Sequence, residues 1–175
     1  NESYGQVAGI NMDTFGNYLT IGDLMRSANI LKLSDDSQKL VEIARDYFTG
    51  WSTAVKFIDA EHILMADDHG NLSQLVLNVD PSFVTERLFL EHVSGFHTGT
   101  VINTIIQGCL SENLANRNLF LKYFLFGTAS GCIGGIGVIK STETYSVLQI
   151  LQKNILTVSK TAMFVDNAEW RSFYN

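Results

Sequence analysis

The sequence predicts a mainly β fold, a partial β-propeller of four-stranded antiparallel blades followed by a C-terminal amphipathic helix. Three observations carry this. Short apolar runs separated by turn residues follow one another from residue 6 to residue 139, which is the pattern of an all-β protein. Three of these runs, Tyr18 to Asp23, His62 to Asp67 and Phe124 to Thr128, share one ending: a small residue, then Asp or Thr. The small residues Gly22, Ala66 and Gly127 stand 44 and 61 residues apart. A repeat of about 45 residues with four strands per unit is the signature of WD40-like propeller blades.

In chain order, the strand candidates begin with Gln6 to Met12 and Tyr18 to Gly22, divided by Asp13-Thr-Phe-Gly16. Ala28 to Leu33 and Leu40 to Arg45 follow, the first reached through the polar hinge Asp23 to Ser27. Asp and Ser favour such hinges because their side chains bond nearby backbone groups. Thr53 to Ile58 and His62 to Ala66 flank Asp59-Ala-Glu61. Leu72 to Val79, Arg87 to His92, Val101 to Gln107, Tyr123 to Thr128 and Ile133 to Ile139 complete the set. Ser111 to Asn118 reads as the loop that lengthens the second interval.

After Ile139 the period changes. Leu148, Leu151, Ile155 and Val158 recur at three and four residues, the spacing of an amphipathic helix. Ser141 or Thr142 can cap it, and Glu143 suits its first turn. A further helix is expected to begin between Asp166 and Asn175. The chain thus divides into blades over 1–140, a crossing helix over 141–162 and the start of a helical C-terminal domain over 163–175. Propellers need about four blades or more. The chain is therefore expected to be a piece of a larger protein, with open edges that invite aggregation.

Composition narrows the function classes. Hydrophobic residues make up 46% and charged residues 17%, which suits a buried core and argues against disorder. A net charge of −6 with scattered Lys and Arg leaves no footprint for phosphate backbones, so direct nucleic-acid binding is not expected. Cys109 and Cys132 make no disulfide framework and read as small core residues of a reduced compartment. No signal peptide is recognisable, and the run Leu119 to Phe126 is too short to span a bilayer. The sequon at Asn71 matters only in a secreted protein.

Each chemical-looking cluster has a plainer explanation. Asp67-Asp68-His69 fits a solvated turn better than a metal or acid–base site, because turn neighbours rarely converge on one ion. His62, His92 and His97 lack ligand spacing, and His97 is expected to satisfy turn backbone. The glycines from Gly131 to Gly137 alternate with Ile and Val inside a strand, where a nucleotide loop would open a helix. Close backbone approach near a propeller axis accounts for them. No nucleophile–base pair emerges, so no enzyme, cofactor or metal is expected. Arg26 in its hinge and Trp51 at the start of a blade are different. Arg and Trp are enriched at binding hot spots, although an isolated Trp serves a core equally well.

Six ordered islands, "GDLMRS", "EIARD", Trp51-Ser-Thr-Ala-Val55, "FHTG…VIN", "LFGTASGCIG" and "EWRSF", make the chain resemble the DNA damage-binding protein 1 family. Its members are adaptors of cullin-4 ubiquitin ligases. The superfamily also holds the large subunit of the cleavage and polyadenylation specificity factor and a splicing factor 3b subunit. These RNA-processing scaffolds are the alternative reading. A propeller enzyme with an axial metal is a third reading.

The resemblance implies a scaffold of three propellers, of which this chain is the later part of the third. The middle propeller would hold cullin-4. WD40-type substrate receptors would insert a helical segment into a cleft. DNA would be reached only through a receptor, no membrane would be involved, and the protein would work in nucleus and cytoplasm. Carried over by position, the receptor wall would include Leu24, Arg26, Trp51, Thr53, Ala54, Val101, Asn103 and Ala129, with Ala8 and Ile10 beside them. The family often has Phe at Val101, Tyr at Asn11 and Val at Ala129, so the receptor set of this chain is expected to differ.

Overall fold

The computed structural model describes residues 7–35, 38–78, 89–111, 119–158, 165 and 167–172, and among these residues eleven strands and two helices are formed. The strands form three antiparallel sheets. The first contains β1 (Gly9–Phe15), β2 (Tyr18–Asp23), β3 (Ala28–Leu33) and β4 (Leu40–Arg45). The second contains β5 (Ser52–Phe57), β6 (His62–Asp67), β7 (Asn71–Leu77) and β8 (Leu90–His97). The third contains β9 (Ile102–Gln107), β10 (Phe120–Thr128) and β11 (Ile133–Ile139). Strands run in sequence order within every sheet, as in propeller blades. The fold is a partial β-propeller without closure.

The sheets stack through their first strands, β5 lying against β1 and β2 on one side and β9 on the other. This explains the composition of the second sheet. Ile63 and Met65 of β6 join the core shared with the first sheet, while Leu64 and Ala66 join the core shared with the third. Alternate residues of a strand point to opposite faces, so a strand buried on both faces must be apolar throughout. Each such large side chain contributes about 1.5–3 kcal/mol of burial. Polar ties cross the same gaps. Asp13 takes Lys56 Nζ at 2.6 Å and the Phe57 amide at 2.9 Å, and Thr53 Oγ1 donates to the Ile102 carbonyl at 2.6 Å. Lys122 donates to the Ile58 carbonyl.

The three strands with the shared ending, β2, β6 and β10, are each the second strand of a sheet. Several boundaries and environments differ from expectation. β1 runs on to Phe15, because Asp13 is a strand residue tied across to the second sheet rather than part of a turn. β8 extends to His97, paired with Asn71. The expected strand start at Arg87 and the loop at 112–118 lie outside the described residues, as do Gln6, Val79 and residues 159–162. Cys132 is exposed and Cys109 half-buried, so neither is a core residue. Both lie in connections past the strand ends.

The glycine-rich strand β11 is the edge of its sheet away from β9, not near the row of first strands. Its glycines make room for rings. A Cβ on Gly134 would lie 2.1 Å from Phe126 Cζ, and one on Gly137 would lie 2.5 Å from Phe120 Cδ1.

Two helices follow, α1 (Thr142–Val158) and α2 (Asn167–Arg171). Ser141 caps α1, its Oγ accepting the Thr144 amide at 3.2 Å. No described residue of α1 is buried. No helix of the described residues is long and apolar enough to cross a membrane.

Candidate functional site: one rim of the stacked sheets

The pairs Gly9–Asp23, Ser52–Asp67 and Ile102–Thr128 bring the starts of β1, β5 and β9 level with the ends of β2, β6 and β10. Three first strands and three hairpin turns therefore share one rim. The recurring Asp or Thr builds each turn. Asp23 Oδ1 accepts the amides of Met25 (2.8 Å) and Arg26 (3.0 Å). Asp67 Oδ1 accepts those of His69 (3.0 Å) and Asn71 (2.8 Å). Thr128 Oγ1 accepts that of Cys132 (3.0 Å). A side-chain oxygen that bonds amides two or more residues ahead closes a turn without help from elsewhere. The repeat visible in the sequence is thus a repeat of turn chemistry.

Asp23 does more than its counterparts. Its Oδ2 accepts the amides of Val7 (2.8 Å) and Ala8 (2.9 Å), holding the chain that enters β1. Burial raises the affinity of this carboxyl for a proton, but the four amides from Met25, Ala8, Val7 and Arg26 outweigh burial. Its pKa lies below the usual carboxylate value. The Ser27 backbone has a φ of 58°, uncommon for a non-glycine residue. Its hydroxyl donates to Asp46 Oδ2 at 2.5 Å, and His92 Nε2 lies 3.0 Å from the same oxygen. Hydroxyl and imidazole meet one carboxylate oxygen separately, so the ring does not stand between them as an activating base would. The arrangement fixes the turn.

The island around Asp46 is structural too. Ile43 is an extra residue in β4, since Ile30 pairs with Ala44 and Leu31 with Glu42. That bulge lets Glu42 and Arg45 reach each other, with Arg45 Nη2 2.6 Å from Glu42 Oε1.

The nominated residues form a continuous line. The Ala8 carbonyl accepts the Leu24 amide at 2.9 Å. Arg26 forms a parallel bridge with Gly50, next to Trp51, and the Trp51 carbonyl accepts the Asp68 amide at 3.2 Å. Thr53 reaches the Ile102 carbonyl between Val101 and Asn103, and the Val101 carbonyl accepts the Ala129 amide at 2.8 Å. Ala8, Ile10, Leu24, Arg26, Trp51, Asn103 and Ala129 are exposed, and Thr53 and Val101 half-buried. Trp51 is 44% exposed, so it is not a core tryptophan. It also forms part of the wall of a cavity of about 510 Å³ with Phe48, Asp46, Met65 and His92. Ala54 is a correction: at 3% exposure it packs in the second core with Ile102 and Phe124, supporting the rim from beneath.

Asp67-Asp68-His69 is a turn, and among the described residues no group of three His, Cys, Asp or Glu could hold a metal. His62 pairs with Asp59 at 2.8 Å. There the bonds from His62 and the Glu61 amide outweigh burial and keep the Asp59 pKa below its usual value. The His97 ring meets the Asn71 side chain at 2.8 Å, where turn backbone was expected. Asn71 is buried and engaged on both sides, its Nδ2 donating to Asp67. The sequence marks Asp23 and Asp67 as turn residues, but not the hold of Asp23 on the chain entering β1.

The family described as CPSF A subunit region matches residues 2–175. DNA damage-binding protein 1 of Solanum lycopersicum is 31% identical over 173 residues, 98% of this chain. DNA damage-binding protein 1 of Oryza sativa subsp. japonica is 30% identical, and DNA damage-binding protein 1a of Arabidopsis thaliana 31%, over the same share. The chain spans 16% of the length of each.

Proposed function

The chain belongs to the CPSF A subunit region family, a family of scaffolds, and on that premise we propose that it is part of a non-catalytic adaptor for a cullin-4 ubiquitin ligase. Its task is to dock WD40-type substrate receptors, which lay a helical segment along the rim. The observation that carries this is the exposed line of Ile10, Leu24, Arg26 and Trp51 across adjacent sheets. Apolar positions with an aromatic anchor and an arginine suit a helix-in-groove contact. Val101, Asn103 and Ala129 continue the line, and Ala54 and Thr53 hold it up. Cullin-4 would bind a part of the protein outside these residues. DNA would be engaged through a receptor, in keeping with the net charge of −6 and the relatives' name. Nucleotide-excision repair and regulated degradation, in nucleus and cytoplasm, are the settings this implies.

The test is a titration of a labelled helical segment from a WD40-type receptor against the full-length protein and its Trp51→Ala variant. Truncating a central anchor costs about 2 kcal/mol or more, roughly thirtyfold in affinity. Unchanged binding would move the site away from the rim. A second reading, an RNA-processing scaffold, is favoured by the family's own description. Failure of wild type to bind any such receptor, with recovery of cleavage or splicing factors from cells, would favour it.

A further inference from the structure

The described turn of α2, Asn167–Arg171, lies against β8. It is held by what it touches. The Trp170 ring stands edge-on to His97 with centroids 5.0 Å apart, and its Cη2 lies 3.0 Å from where a Cβ on Gly99 would sit. Arg171 Nη1 donates to the His97 carbonyl at 2.7 Å, and its guanidinium covers Phe96 at 4.4 Å. From that clip a bonded path leads to the rim. The His97 ring meets Asn71, Asn71 donates to Asp67, and the neighbouring Asp68 amide donates to the Trp51 carbonyl. Thr98, next to His97, bonds the Gly70 carbonyl of the same turn through its amide at 2.8 Å and its hydroxyl at 2.7 Å.

We propose that Trp170 and Arg171 are positioning residues for the rim, through the contact of α2 with His97 at the end of β8. Docked, α2 holds the Asp67–Asn71 turn and, through it, the backbone of Trp51. Without those contacts the turn loosens. Contacts that hold one end of a bonded path can couple it to the other end when they form or break. The partner-binding consequence rests on the reading of the rim as a receptor site. The effect on the turn does not.

Amide exchange on the full-length protein tests the turn. In Trp170→Ala, the His69, Asn71 and Thr98 amides should exchange about fivefold faster or more, the lower end of usual coupling, while Ile63 and Leu64 in the core keep their protection. Unchanged exchange at the three amides overturns the proposal. If Trp170→Ala exposes the core as well, Arg171→Ala, which keeps the ring, takes its place with the same outcomes. The labelled receptor segment, titrated in parallel, should bind Trp170→Ala about fivefold more weakly. Faster exchange with no effect of Trp51→Ala on binding would retain the clip and reject the rim as the receptor site. Weakened binding by Trp51→Ala alone, with normal exchange in Trp170→Ala, would do the reverse.

Discussion

Ser27 donates its hydroxyl to Asp46 at 2.5 Å, and both residues are buried. The contact fastens the turn that carries Leu24, Met25 and Arg26 to the segment leaving the outermost strand of the same sheet. His92 of the next sheet meets the same oxygen at 3.0 Å. Arg26 is thus presented by a turn anchored from two sides.

Ser27→Ala should cost about 2 kcal/mol, the range for a lost bond to a charged group. Ser27→Gly loses the same bond but accepts the positive φ without strain, so it should be the milder change. Denaturant melts of the full-length protein, followed by exchange at Ile30, would measure both. Equal stability of wild type and both variants would remove this anchor from the account.

Asp23 has a folded pKa below its unfolded value. Its contribution is therefore fully present above about pH 4, near the ordinary carboxylate value, and is lost as pH falls through the folded pKa. Asp23→Asn should lower stability at neutral pH and flatten the acid limb of the stability profile. Superimposable profiles between pH 2 and 7 would contradict this.

Gly134→Ala places a methyl group in the ring of Phe126 and should destabilise the third sheet by about 1–3 kcal/mol, the usual penalty of overpacking. Phe126→Leu added to Gly134→Ala should recover part of the loss. Thermal unfolding of the two variants decides it, and additive losses would mean the ring is not the obstacle.

Thr53→Val removes the donor to the Ile102 carbonyl and should cost about 1 kcal/mol by loosening the second sheet from the third. The measurement is exchange at Ile105 against exchange at Ile30, where only the former should rise. A uniform rise would mean general destabilisation.

Most of the fold was legible because period and turn chemistry are local. The runs now in β2, β3, β4, β6 and β11 are recognisable from apolar residues and the punctuation between them. What failed was decided at a distance. Asp13 reads as a turn residue until Lys56 and the Phe57 amide are seen to occupy both its oxygens. His97 reads as part of a loop until Asn71 and Arg171 are found against it. The glycines of β11 look like close backbone approach, but rings of the neighbouring strand need the space. In the rim, Arg26 and Trp51 stood out by residue type. Ala54 could not be assigned to core or surface, since an alanine in a strand carries no sign of which face it occupies.

Where the rim residues meet one another, many of the links are main-chain bonds: Ala8 to Leu24, Val101 to Ala129, Trp51 to Asp68. The side chains at Leu24, Val101 and Ala129 are not needed to make those links. Such a surface can drift in lining without drifting in shape. The lining can be altered side chain by side chain, and the frame beneath need not take part in the change.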